Sequence, residues 1–220
     1  MNKQHDIFIY GVGGLAKEVT LLIEGINRAG GDGFNIAKYV VTQPESSTFL
    51  ERDVISEKVF LHDVCGESQV NFIIAVGTPA VRRRIVSALK DYDICYPILI
   101  HPSSRPNSTV SLGEGVIICS NVILTADVAI GAHTYINFVC SIAHDVEIGE
   151  FVQINPHSCI NGNVKIGDEC LIGAGSVIHQ GVHIGENSTV GLGAVVVHNV
   201  PEHTTVIGNP ARKLTTARQN

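Results

Sequence analysis

The residues that could do chemistry fall into three groups. Near the start, Gly11-Val12-Gly13-Gly14 follows the apolar run Ile7-Phe8-Ile9-Tyr10 and precedes a segment of helical periodicity. Glycines at 11, 13 and 14 let a backbone approach a pyrophosphate at a helix N-terminus, where unpaired N–H groups face an anion. Farther on, His133, His144 and His157 lie 11 and 13 residues apart, a spacing that by itself leaves a zinc site open. His144 is followed directly by Asp145. A neutral imidazole, with an ordinary pKa of about 6.5, removes a proton well at neutral pH, and a neighbouring carboxylate can orient it. Taken alone, the pair reads first as a solvated surface couple. The third group is the six cysteines, at 65, 95, 119, 140, 159 and 170, which have no CxxC spacing. They read as free buried thiols rather than as disulfides or metal ligands.

Two kinds of element must position these residues. Over the first hundred, strand and helix signals alternate. Strands are predicted at Asp6 to Tyr10, Ala37 to Val41, Phe72 to Val76 and Tyr96 to Ile100. Leu15, Val19, Leu22, Ile23 and Ile26 share one face of a predicted helix, and a second helix runs from about Pro79 to Lys90. This alternation predicts a small parallel α/β unit. The glycine turn departs from a dinucleotide fingerprint: Ala16 holds the sixth position, and Val40-Val41-Thr42-Gln43 ends the second strand with no acidic residue. A nicotinamide-dependent oxidoreductase is therefore disfavoured.

From Leu112 to Val196 the period becomes six. Every sixth residue is aliphatic, fifteen in succession without an insertion, and four residues after each stands a small or β-branched residue such as Val146, Ser158 or Cys170. Gly often follows the aliphatic, as at 113, 131, 149, 167, 173, 185 and 191. Six matches neither a helix nor a flat strand. It matches a parallel β-helix in which three hexapeptides complete a triangular coil, so fifteen make five coils. The aliphatic fills the interior, and Gly, Asn and Asp are expected at the corners, where unusual φ and ψ are needed.

Composition narrows the function. With 45% hydrophobic and 16% charged residues the chain is an ordinary globular protein, and a net charge of -6 argues against a nucleic-acid surface. No apolar stretch approaches the ~18 residues of a membrane span and no leader is evident, so a cytoplasmic protein is expected.

Taken together, the motifs resemble the sialic-acid O-acetyltransferase/PglD-type sugar N-acetyltransferase family of hexapeptide-repeat acyltransferases, over nearly the whole chain. The marks are Gly11 to Val19, Ala75-Val76-Gly77 with Arg82 downstream, Ile100-His101-Pro102, Ala143-His144-Asp145, Asn161-Gly162-Asn163-Val164, and Val206-Ile207-Gly208-Asn209-Pro210-Ala211. The resemblance implies a Rossmann-like sugar-nucleotide-binding domain over 1–103 and a left-handed β-helix over 104–220 that binds acetyl-CoA and carries the chemistry. It implies His144 as general base, Asp145 as its partner and the Gly162 amide, one coil above His144, at the oxyanion. Ala174, Leu192, Ile207, Gly208 and Pro210, with Gly162, would line the coenzyme groove. Gly11, Gly13, Gly14, Leu15, Thr42, Gly77, Gln153 and His157 would contact substrate.

Three of these depart from the family. Gln153 stands where relatives often carry a second histidine, and His157 where Gly is usual. Leu15 replaces a histidine of some relatives, and the missing acidic residues leave the base open between uracil and thymine. The expected protein is thus an acetyl-CoA-dependent N-acetyltransferase of a UDP- or dTDP-linked amino sugar, such as a 4-amino-4,6-dideoxyhexose for surface polysaccharide or glycan. It is expected to need no metal and to form a homotrimer with each site between two prisms. Sugar O-acetylation and non-catalytic sugar binding are the alternatives, and the zinc enzymes that share the repeat lack a strand–helix unit in front of it.

Overall fold

The computed structural model describes residues 4–30, 33–65 and 69–215. The chain divides into two compact units, Met1–Pro102 and Ser103–Asn220.

In the first unit the elements run β1 (Gln4–Tyr10), α1 (Gly14–Ala29), β2 (Gly33–Val41), β3 (Thr48–Phe49), β4 (Arg52–Ser56), α2 (Glu57–Asp63), β5 (Val70–Ile74), α3 (Pro79–Ala88), β6 (Ile94–Cys95) and β7 (Leu99–Ile100). Six strands form one sheet in the order β3-β4-β2-β1-β5-β6, parallel except for the β3–β4 pair. Successive β1 residues serve opposite faces. Tyr10 joins Val40, Phe60, Phe72 and Ile85 in one buried cluster, and Ile7 and Ile9 are equally buried. A sheet covered on both sides needs such near-continuous apolar runs.

The predicted strands and helices are present with shifted ends. Of the run expected at Tyr96 to Ile100 only Leu99–Ile100 is strand, because Pro97 has no N–H to give a ladder, and a separate short strand, Ile94–Cys95, precedes it. The segment β3-β4-α2 was not expected. Its strands are two and five residues long, too short and too polar to show a period. Its helix begins where the Ser56 hydroxyl accepts from the Val59 N–H at 3.3 Å.

The second unit is a left-handed parallel β-helix. Its first face stacks Ser111–Leu112, Ala129–Ile130, Glu147–Ile148, Lys165–Ile166 and His183–Ile184. The second stacks Ile117–Ile118, Tyr135–Ile136, Gln153–Ile154, Leu171–Ile172 and Thr189–Val190. The third stacks Ile123–Leu124, Ser141–Ile142, Cys159–Ile160, Val177–Ile178 and Val195–Val196. Each aliphatic lies directly over its counterpart one coil away, and the interior isoleucines at 136, 142, 154, 172 and 178 are fully buried. Strand Thr205–Ile207 extends the second face and pairs antiparallel with Arg212–Lys213.

The corners divide the work of glycine in two, which corrects the expected reason for the repeated Gly. Left-handed φ occurs three residues after each aliphatic from Leu112 to Val190, at Asn121, Asp127, His133, Val139, Asp145, Phe151 and onward. Asn, Asp and Gly take many of these places, as their short or absent side chains allow, but Val139 (φ 59) and Phe151 (φ 57) do not belong to that class. The Gly directly after the aliphatic is required by space instead. A Cβ on Gly167 would lie 2.7 Å from the Glu186 amide nitrogen, and one on Gly173 2.5 Å from that of Leu192.

All six cysteines are free. Burial pushes the Cys140 and Cys170 thiols up to about 11. No helix among the described residues is long and apolar enough to cross a membrane.

Two outcomes follow. Gly167→Ala should lower unfolding free energy by about 1–3 kcal/mol, whereas Gly181→Asn, at φ 73 with open space around it, should change it by less than about 1 kcal/mol. Urea titration distinguishes them. Because both thiols titrate higher folded than at the ordinary 9.0, the unfolded chain ionises first. Stability from these thiols is intact below pH 9 and lost as pH rises towards 11. Replacing both by Ser should flatten the fall in melting temperature over that range.

Candidate active site

His144 and Asp145 turn the corner from the third face, Ser141–Ile142, to the first, Glu147–Ile148. Ile142 points inward and is fully buried, while the His144 and Asp145 side chains are 56% and 55% exposed. The corner conformation at Asp145 (φ 58) brings the two side chains together. His144 Nδ1 lies 2.7 Å from Asp145 Oδ2. A carboxylate only accepts, so Nδ1 carries the proton and Nε2 of the neutral ring offers a lone pair.

One coil up the same corner is Gly162. A Cβ there would lie 2.7 Å from His144 Cε1 and 2.8 Å from Nε2. A side chain at 162 would therefore displace the imidazole edge, which occupies the space over the Gly162 α-carbon. Around Gly162 the ladder is complete, with Asn161 N donating to Ile178 O at 3.2 Å and Asn163 N to His144 O at 3.0 Å. The Gly162 N–H itself has no acceptor among the described residues. A bare imidazole nitrogen and an unspent amide N–H thus adjoin one another. The pair can take a proton from an attacking nucleophile and stabilise an oxyanion.

The remaining β-helix residues of interest lie elsewhere. Ala174 and Leu192 stack on the edge between the second and third faces, and their amides too have no acceptor among the described residues. Leu192 is 82% exposed. His157 lies on that same edge with left-handed φ. The third face therefore separates this edge from the His144–Gly162 edge. Beyond the last coil, Ile207 covers Gly191, and Gly208 O accepts from Val195 N at 3.0 Å. Pro210 follows in the turn between Thr205–Ile207 and Arg212–Lys213. Gln153 lies on the second face, buried, with Nε2 3.4 Å from Asn155 Oδ1.

The three histidines considered for zinc occupy three different corners of the prism. His133, on the edge between the first and second faces, is buried and stacked on Phe151 at 4.9 Å. Glu186, Glu202 and His203 are the one metal-capable group among the described residues, and all three are exposed.

In the first unit, the glycine turn closes the C-terminal end of β1. Gly11 has φ 118, and a Cβ there would meet Ala75 O at 2.8 Å. Gly13 caps the 16-residue α1, and Leu15 begins its first turn half-buried. Cβ atoms on Gly13, Gly14 and Gly77 would meet nothing within 4 Å. The strand order reverses between β1 and β5, which is where open α/β sheets bind ligands. Buried Arg82 donates to Val76 O at 2.8 Å and holds the end of β5 beside this crevice. Thr42, just past β2, has its hydroxyl 2.8 Å from that of Tyr10. The Tyr10 O–H in turn reaches Glu57 Oε2 at 3.0 Å. Glu57 was missed in the sequence because α2 was missed. A cavity of about 310 Å³ lies beside the turn, lined by Val12, Val41, Phe49 and Val54 with Gln43 and Glu45.

Residues 6–89 match the PglD N-terminal domain, and residues 145–180 and 163–198 match the bacterial transferase hexapeptide (six repeats). The chain is similar to a variant of perosamine N-acetyltransferase from Caulobacter crescentus solved with CoA and GDP-perosamine (27% identity, 96% of this chain and 97% of that one, TM-score 0.87). It is also similar to the acetyltransferase domain of PglB from Neisseria gonorrhoeae FA1090 (26%, 96% and 100%, TM-score 0.86). WeeI from Acinetobacter baumannii AYE is comparable (29%, 96% and 100%, TM-score 0.84). No curated protein matches the chain in sequence.

In ¹⁵N NMR of ring-labelled protein, His144 should show the Nδ1–H tautomer at pH 8. Asp145→Asn should abolish that bias, since an amide can donate as well as accept; an unchanged tautomer would show that Asp145 does not set it.

Proposed function

Because this chain is a PglD-type hexapeptide-repeat acyltransferase, we propose that it moves acetyl from acetyl-CoA to the amine of a nucleotide-linked amino sugar. The observation that carries this reading is the imidazole of His144 packed against the α-carbon of Gly162, whose N–H has no acceptor among the described residues, supported by relatives solved with CoA and GDP-perosamine and with acetyl-CoA.

The amine nitrogen attacks the thioester carbonyl carbon while His144 Nε2 takes its proton and Asp145 holds the ring. The carbonyl oxygen, now negative, sits at the Gly162 N–H. Collapse re-forms the carbonyl, breaks the C–S bond, and the departing thiolate takes the proton from the imidazolium. The products are an N-acetyl sugar and CoA, with no metal or redox step. The coenzyme runs along the third face between its two edges, where the free amides of Ala174 and Leu192 suit its amide groups, and its far end reaches Ile207, Gly208 and Pro210.

Exposed Ile123 (61%) and Val177 (36%) on that face, with Val139 at its corner, favour a second copy against it. A homotrimer would wall each groove with a neighbouring prism and supply exposed His157 of another copy, whereas Gln153 is buried within its own chain. In the first unit the glycine turn holds the diphosphate, and the cavity beside Val41 and Phe49 suits a flat base. Glycan synthesis in the cytoplasm is the setting that such a soluble donor chemistry fits.

The test is thiol release from acetyl-CoA against UDP-, GDP- and dTDP-linked 4-amino sugars and free sialic acid. Turnover is expected with a nucleotide-linked amine, and His144→Ala should lower kcat about 10²–10⁴-fold. Turnover confined to sialic acid would replace N- by O-acetylation, and full activity of His144→Ala would remove the base assignment.

A further inference from the structure

The second strand lacks the acidic residue that usually meets a ribose at this point of the sheet, yet a carboxylate arrives there from another strand. β4 lies parallel to β2 with Val41 beside Ser56, so the next residues, Thr42 and Glu57, emerge together at the C-terminal edge. Ser56 caps α2 and so sets the direction in which Glu57 leaves the strand. The three polar groups then form a chain: Thr42 Oγ1 is 2.8 Å from the Tyr10 hydroxyl, which donates to Glu57 Oε2 at 3.0 Å. Tyr10 immediately precedes Gly11, whose N–H is tied to Val40 O at 2.8 Å. The chain therefore starts at the residue that enters the glycine turn.

We propose that Glu57, oriented by Tyr10 and Thr42, binds the 2′,3′-diol of the nucleotide's ribose and makes the protein selective for ribonucleoside over 2′-deoxyribonucleoside diphosphates. This rests on the nucleotide-sugar reading above and sharpens it, because it takes a UDP- or GDP-linked donor over a dTDP-linked one. A carboxylate offers two acceptor oxygens with about four lone-pair directions. One of them, Oε2, is already occupied by Tyr10, and Oε1 has no protein partner among the described residues. A vicinal diol presents two O–H donors at a spacing that one carboxylate accepts, which is the role of the acid that ends the second strand in dinucleotide-binding sheets. Removal of the 2′-hydroxyl takes away one charge-assisted bond and leaves that oxygen without a protein or ligand donor. Burial, opposed by the Thr42 contact and reinforced by Glu57, raises the Tyr10 phenol above its ordinary value, so it stays a donor to the carboxylate throughout the neutral range.

Glu57 is half-buried on a helix start, so Glu57→Gln preserves shape, and Tyr10→Phe serves as a second variant that removes only the orienting hydroxyl. The probes are UDP, GDP and their 2′-deoxy counterparts, titrated calorimetrically into the full chain. The wild type should bind the ribonucleotides about tenfold or more tighter than the deoxy forms. Glu57→Gln should lose that ratio by weakening the ribonucleotides alone, and Tyr10→Phe should reduce it in part. Equal binding of ribo and deoxy forms by the wild type, or a uniform loss across all four in Glu57→Gln, overturns the assignment while leaving the acetyltransferase reading intact. Failure of every nucleotide to bind, with acetyl transfer to a free amino sugar, overturns the nucleotide-linked substrate together with it.

Discussion

The register of backbone hydrogen bonds between successive coils governs everything else in the second unit. On each face an amide donates to a carbonyl one coil away, as Ala143 N does to Ile160 O at 2.9 Å, and at the corner the direction reverses, as Asn163 N returns to His144 O at 3.0 Å. These bonds hold only if each coil has the same length, and no residue is inserted between Leu112 and Val196. Residues eighteen apart consequently share a column at a separation of about 4.8 Å. The meeting of His144 with Gly162 is therefore a property of backbone periodicity and not of a flexible loop. A single inserted residue between them would rotate Gly162 off the column and separate the imidazole from the amide.

That ladder leaves the corners as its weak and useful points. The residue two past an aliphatic gives its N–H to no strand, and at Gly162, Ala174 and Leu192 that N–H has no acceptor among the described residues, whereas the Phe138 and Glu150 amides donate to the Asn137 and Asp168 side chains. The next residue takes left-handed φ, which for side chains such as Val139 and Phe151 costs about 1 kcal/mol or more. The buried isoleucine stacks offset that strain, because each interior side chain contributes roughly 1.5–3 kcal/mol. The rigid interior thus supports a corner at Asp145 that an isolated peptide would not hold. It is this corner that turns an adjacent His and Asp into a hydrogen-bonded pair at 2.7 Å.

The β-helix was legible in sequence almost residue by residue, since a period of six carried by fifteen aliphatics belongs to no other regular structure. The columns followed from the same period, and with them the nearness of His144 and Gly162. Which backbone amides remain free did not follow, because an amide carries no side-chain signature. The repeated Gly was visible but was assigned to φ, whereas its cause is the next coil's backbone pressed against the α-carbon. In the first unit β1, α1, β2, β5 and α3 were legible from long apolar runs. The segment from Thr48 to Asp63 was not, since two short strands and a seven-residue helix provide too few positions for any period to repeat. Glu57 was lost with it, and the absence of an acid after Val41 then looked complete.

Long-range pairing decides what such a short segment means. Alone, Ser56-Glu57 is only a capped helix start with an acid in its first turn. Beside Val41-Thr42 in a parallel sheet, the same two residues extend the ligand-facing edge of β2. A carboxylate absent from one strand is thereby present at the edge of its neighbour, and Tyr10 at the end of β1 links the two through hydroxyl hydrogen bonds. Three strands, β1, β2 and β4, each contribute one polar group at the level where the glycine turn begins. A fingerprint written along a single segment of chain cannot register that arrangement, because sequence order and spatial order diverge at the edge of a parallel sheet. The two units therefore place their chemistry by different rules. In the β-helix, position follows directly from residue number, whereas in the sheet it follows from which strands lie side by side.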